Sequence, residues 1–164
     1  TGVQTCALPI SGSDSMVVAM VDTGIRRTHQ DLSANIWRNP GEVAGNRADD
    51  DHDGYVDDTW GWDFYNNDSD PTDDNGHGTH VAGIVGAAGN NHLGVSGVCW
   101  HVKLAALKVG SRTGVVLVSA AVGALDYCVK KRIEVEVKVC RGAYQSIHDV
   151  PPATIEKMRR QWQE

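Results

Sequence analysis

Two short segments carry the residue types of proton-transfer chemistry. Asp22 ends an apolar run and is followed by Thr23 and Gly24, which sets a carboxylate at the head of a turn. His77 lies between Gly76 and Gly78 in the segment NGHGTHVAG, and the glycines let another stretch of chain approach its imidazole closely. A helix that starts at His77 presents partial positive charge there, which disfavours imidazolium. A general base must accept a proton, so a carboxylate partner has to compensate, and Asp22 is the candidate. Taken singly, each has a plainer explanation, with Asp22 capping a turn and His77 capping a helix. Taken together, the two favour chemistry.

The second signal is acidic. In Asp49-x-Asp51-x-Asp53-Gly54-Tyr55-x-Asp57 the carboxylates alternate and a glycine stands at the sharp turn. This is the first half of an EF-hand-like calcium loop, with Trp60 where the bidentate glutamate would stand. Adjacent carboxylates repel by about 1 kcal/mol per pair at 4 Å in bulk water, and a hard cation relieves this. Calcium is therefore expected to order residues 49–74, against the plainer reading of a solvated acidic loop. His77 and His80 lack the spacing and the acid of a zinc helix, so His80 is expected to be a packed helix residue.

The elements that must position these groups follow from the pattern of apolar residues. Residues 1–15 show no periodicity and are expected to form an unstructured leader, outside the fold. Residues 16–21 (MVVAMV) read as a strand buried on both faces, stopped at Asp22. Residues 28–74 are turn-rich, and so long a loop in a compact domain is normally functional or metal-organised. Residues 77–91 suit a closely packed helix with Asn90 or Asn91 near its end. Further strands are expected over 102–109 and 133–139, with helices over 115–131 and 153–163. Strand, loop, helix, strand, helix, strand builds an α/β fold with a parallel sheet, and reactive groups gather beyond the C-terminal ends of its strands. Asp22 sits at such an end.

Composition agrees. The 164 residues are 41% hydrophobic and 22% charged, as one globular domain requires. A net charge of -6 argues against general nucleic-acid binding, which needs a basic face. No apolar run approaches the roughly 20 residues of a membrane helix. Cys6, Cys99, Cys128 and Cys140 form neither a disulfide scaffold nor a zinc pattern. Eleven aspartates fall between Asp49 and Asp74, and no lysine or arginine occurs between Arg47 and Lys103.

The segments VVAMVDTGIRRTHQDL, GWDFYNNDSDPTDDNGHGTHVAGIVGA and NNHLGVSGV resemble the subtilisin-like serine endopeptidases, the subtilases, and the resemblance covers roughly residues 16–132. It implies a three-layer subtilisin-like α/β fold, incomplete here, with residues 16–140 the N-terminal part of the catalytic domain and 141–164 an unmatched tail. It makes Asp22 the aspartate that orients His77, and His77 the base that takes a proton from a serine attacking a peptide carbonyl. No Gly-Thr-Ser-Met-Ala type motif surrounds Ser96, Ser111, Ser119 or Ser146, and no asparagine after Asn91 can serve the oxyanion. Loss of the serine costs about 10⁶ in kcat in subtilisin itself. The chain is thus expected to be an inactive fragment of a longer domain. The resemblance also implies structural calcium held by Asp31, Asn91, Leu93 and Val95, and again by Asp63, Asp68 and Asp70. It implies peptide or protein substrates, the missing C-terminal half as partner, and a secreted location. The alternative class is a non-catalytic calcium-binding module.

Overall fold

A computed structural model describes residues 10–135. The first nine residues of the expected leader, the tail over 141–164 with its expected helix, residues 136–139 and the cysteines Cys6 and Cys140 lie outside the described residues.

Four strands form one parallel sheet in the order β2-β3-β1-β4: β1 Ile10–Asp22, β2 Gly61–Asp63, β3 Cys99–Lys108 and β4 Glu134–Val135. Helices α1 (His77–Gly86) and α2 (Val118–Lys131) cover its two faces. The apolar runs of β1 and β3 alternate between these faces, as the two-residue period of a strand requires. Met20, Leu104 and Ala106 pack with Ala82 and Val85 of α1. Ala19, Ala105 and Leu107 pack with Ala120, Ala124 and Tyr127 of α2. Burial on both sides explains why residues 16–21 of β1 read as a continuous hydrophobic run. Leu104 and Leu107 are fully buried, each worth roughly 1.5–3 kcal/mol relative to exposure.

The α/β parallel-sheet class is as expected, and several boundaries are not. β1 begins at Ile10, inside the stretch assigned to the leader, and pairs Ile10 with Cys99 and Gly12 with His101 before an irregularity between Gly12 and Val17. Main-chain pairing needs no apolar side chains, so the polar residues of this stretch concealed it. A three-residue strand, β2, interrupts the long loop, and residues 33–35 form a single 3-10 turn. Helix α1 stops at Gly86 rather than near Asn90. There the chain turns away, the Ala88 amide donating to the Asp31 carbonyl and the Gly97 amide to the Ala87 carbonyl. Helix α2 starts at Val118 and ends with Lys130 and Lys131 in its last turn, where cations suit the dipole. Among the described residues, no helix is long and apolar enough to cross a membrane.

Candidate active site

β1 and α1 meet so that the last residue of one faces the first residue of the other. The Nδ1 of His77 lies 2.7 Å from Oδ1 and 2.9 Å from Oδ2 of Asp22. The Asp22 side chain is 10% exposed and that of His77 39% exposed. The carboxylate is therefore largely shielded while the imidazole keeps contact with solvent, as a base that meets a substrate must. Asp22 is steadied by the Thr23 amide, which donates to Oδ1 at 2.7 Å. The Val109 amide donates to the Asp22 carbonyl at 2.8 Å.

The two glycines beside His77 serve different ends. Gly76 adopts φ 105°, a conformation that side chains resist, and opens the helix. Gly78 permits contact: a Cβ there would lie 2.2 Å from the Gly24 carbonyl oxygen and 3.2 Å from Asp22 Cβ. Any side chain at 78 would push α1 away from the turn that carries Asp22. His80, expected to be packed, is instead exposed.

The acidic loop is assembled differently from its sequence pattern. Asp49 turns inward on its own loop, accepting from the amides of Asp53 and Gly54. Asp53 pairs with Lys131 of α2 at 2.9 Å, and Asp51 also contacts that ammonium. Ligand atoms of Glu42, Asp49 and Asp51 lie within 4.8 Å of one another. Glu42 is 5% exposed, and its Oε1 accepts from the amides of Asp50 and Asp51. Its Oε2 is buried, with no hydrogen-bond partner among the described residues. Burial pushes the Glu42 carboxyl above its usual range, aided by the nearby Asp58 and Asp51 and opposed by those amides. An oxygen-only donor set with an orphaned buried carboxylate oxygen fits a hard cation. Glu42 was missed in the sequence because it lies seven residues before the alternating aspartates; its only signal was the Asn39-Pro40-Gly41 turn beside it. Lys131 was missed because nothing local links it to the loop.

Two further acidic groupings can be placed. Asp31 is 2% exposed, accepts from Asn91 Nδ2 and from the Val95 amide, both at 2.9 Å, and is held below the ordinary carboxylate range chiefly by the Asn91 bond. Leu93 joins them through its amide, which donates to Asn91 Oδ1. The structure thus brings Asp31, Asn91, Leu93 and Val95 together. Asp63 and Asp68 exchange main-chain hydrogen bonds at 2.9 and 3.1 Å, while the side chains of Asp63 and Asp70 go to different cations. Asp63 is buried against Lys108 at 3.1 Å, Asp70 pairs with Arg27 at 3.0 Å, and Asp68 accepts from the Asp70 amide. Burial alone would lower the Lys108 ammonium, yet Asp63 and Asp74 hold it above its ordinary value.

The profile of the subtilase family matches residues 13–137. Subtilisin-like protease 1 of Plasmodium vivax is 41% identical over 116 residues, which are 70% of this chain and 18% of that protein. Thermitase of Thermoactinomyces vulgaris is 32% identical over 129 residues, 79% of this chain and 38% of that protein. A solved cold adapted subtilisin-like serine proteinase superposes with a TM-score of 0.53 at 25% identity, over 76% of this chain and 35% of that one. The chain spans well under half the length of each of these relatives. A parallel sheet flanked by α1 and α2, a carboxylate and an imidazole meeting at the C-terminal end of β1, and a family match across most of the described residues agree: the chain belongs to the subtilase family.

Proposed function

We propose that Asp22 and His77 are two of the three catalytic residues of a serine-type endopeptidase acting on peptide or protein substrates outside the cell. The observation that carries this reading is the contact of His77 Nδ1 with both oxygens of Asp22. With Nδ1–H donated to the carboxylate, the ring accepts a proton only at Nε2. Nε2 takes the hydroxyl proton of an attacking serine as the Ser Oγ–carbonyl carbon bond forms. It then returns that proton to the leaving amine as the peptide C–N bond breaks. A water repeats the cycle and releases the acyl group. Asp22 keeps its charge throughout and stabilises the imidazolium formed in each half.

The serine and an oxyanion donor have no matching motif in these 164 residues. Alone they are expected to hydrolyse nothing, since the serine contributes about 10⁶ and an oxyanion donor about 10² to 10³. Calcium has a structural role in this reading. Glu42, Asp49 and Asp51 would hold it, and it would supply positive charge to a loop rich in carboxylates.

The test supplies the C-terminal half of a subtilase domain in trans or by fusion and follows peptide turnover. Turnover should appear, fall by about 10⁴ in Asp22→Asn and by about 10⁶ in His77→Ala. Persistent inactivity with a folded, calcium-binding chain would instead make it a non-catalytic calcium-binding module.

A further inference from the structure

Asp22 and His77 belong to elements that meet end to end, and neither element carries the other by chain continuity. A buried carboxylate on the intervening loop bonds both to the turn after one and to the start of the other. Asp73 is 5% exposed. Its Oδ1 accepts from Thr23 Oγ1 at 2.9 Å, from the Asn75 amide at 3.0 Å and from the Gly76 amide at 2.8 Å. Its Oδ2 accepts from the Thr79 amide at 2.8 Å and from Thr79 Oγ1 at 2.5 Å. Thr23 Oγ1 in turn accepts from the Gly78 amide at 3.0 Å, and Thr79 Oγ1 from the Arg26 amide at 3.0 Å.

The bonded residues are the immediate neighbours of the reactive pair. Thr23 follows Asp22, while Gly76 and Gly78 stand on either side of His77. One group thereby grips the turn after β1 and the first turn of α1 at once. A helix N-terminus leaves its first amides without intrahelical partners; here Asp73 takes those of Gly76 and Thr79, Thr23 Oγ1 takes that of Gly78, and Asn75 Oδ1 takes that of His77.

We propose that Asp73, acting through Thr23, is the positioning residue that sets the Asp22–His77 distance. Its hydrogen bonds go to Thr23, Asn75, Gly76 and Thr79, and it transfers no proton. The proposal rests on Asp22 and His77 being the reactive pair, and it extends that reading by naming what aligns them. A displacement of about 1 Å in such a pair costs about a hundredfold in rate.

The test is made on the full chain with histidine nitrogens labelled, and it reads the Nδ1 proton of His77. In the unaltered chain this proton, donated to a shielded carboxylate, should give a resolved low-field resonance. Asp73→Ala should abolish it. Because Asp73→Ala could prevent folding, Thr23→Val is measured as well: it removes the bonds of Thr23 Oγ1 to Asp73 and to the Gly78 amide, keeps the side-chain shape and leaves the bonds from Asp73 to α1. Loss of the resonance in Thr23→Val with unchanged backbone dichroism, and its return in Thr23→Ser, is the expected result. Survival of the resonance in Thr23→Val, or its absence from the unaltered chain, overturns the proposal. The readout needs no hydrolysis. Failed complementation with the expected resonances defeats only the hydrolase reading, and restored hydrolysis with an unmoved resonance defeats only this one.

Discussion

The hydroxyl of Tyr127 donates a 2.5 Å hydrogen bond to Oδ2 of Asp58, a carboxylate with no exposed surface. Asn39 Nδ2 donates to Oδ1 of the same group at 2.7 Å, and Lys131 Nζ lies 3.4 Å from Oδ2. The acidic loop is thereby fastened to the C-terminal end of α2. Burial outweighs these partners and keeps the Asp58 carboxyl above its usual range.

Removing one partner should show this. Tyr127→Phe leaves an acceptor short of a donor in the core and should cost about 1–3 kcal/mol. Lys131→Met leaves Asp51, Asp53 and Asp58 without their shared cation and should cost about 3–5 kcal/mol. Urea unfolding of both variants checks the order, and equal stability of Lys131→Met and the unaltered chain would refute it.

The clasp at Asp73 has a pH signature. Burial opposes ionisation of this carboxyl, but the bonds from Gly76, Thr79 and Asn75 outweigh it and hold the group below its ordinary 3.8. A folded-state value below the unfolded one contributes stability that is whole above pH 3.8 and drains as pH falls through the depressed value. Acid unfolding followed by dichroism should therefore steepen below pH 3.8, and Asp73→Asn should flatten that limb while lowering stability near neutrality.

Calcium binding should depend on Glu42 more than the spacing of the aspartates suggests. Titration calorimetry at millimolar calcium is expected to give saturable heat with the unaltered chain and none with Glu42→Gln or Asp49→Asn. Asp57→Asn should bind normally, since the cluster of close ligand atoms is Glu42, Asp49 and Asp51. Heat that survives Glu42→Gln would move the ion elsewhere.

Gly78→Ala is the smallest change that should part the pair. The new methyl would meet the Gly24 carbonyl oxygen, a backbone atom that cannot rotate aside. Overpacking of this kind typically costs about 1–3 kcal/mol. The His77 Nδ1 resonance should shift or vanish, whereas Gly83→Ala, with only Val95 Cγ2 near at 3.9 Å, should leave it in place.

Much of the protein was legible in the residues alone. The continuous apolar run of residues 16–21 indicated the buried part of β1, because a strand covered on both faces favours apolar residues throughout. The Asp22-Thr23-Gly24 turn and the glycine-flanked His77 indicated a reactive pair, because those backbone conformations and close approaches need glycine. What escaped was short or non-local. β2 is three residues long and the start of β1 is polar, so neither has a period to detect. Asp73 could have been noticed as an acid just ahead of a helix, a common start signal, but its bond to Thr23 spans fifty residues. Glu42 joined the aspartates, and Lys131 took Asp53, only when the chain closed on itself. Local sequence determines which backbone conformations and which buried faces are available, because those depend on neighbours along the chain. Which charge meets which was decided by tertiary structure, since Coulomb attraction and hydrogen bonding act across space and leave no periodic trace in the order of residues.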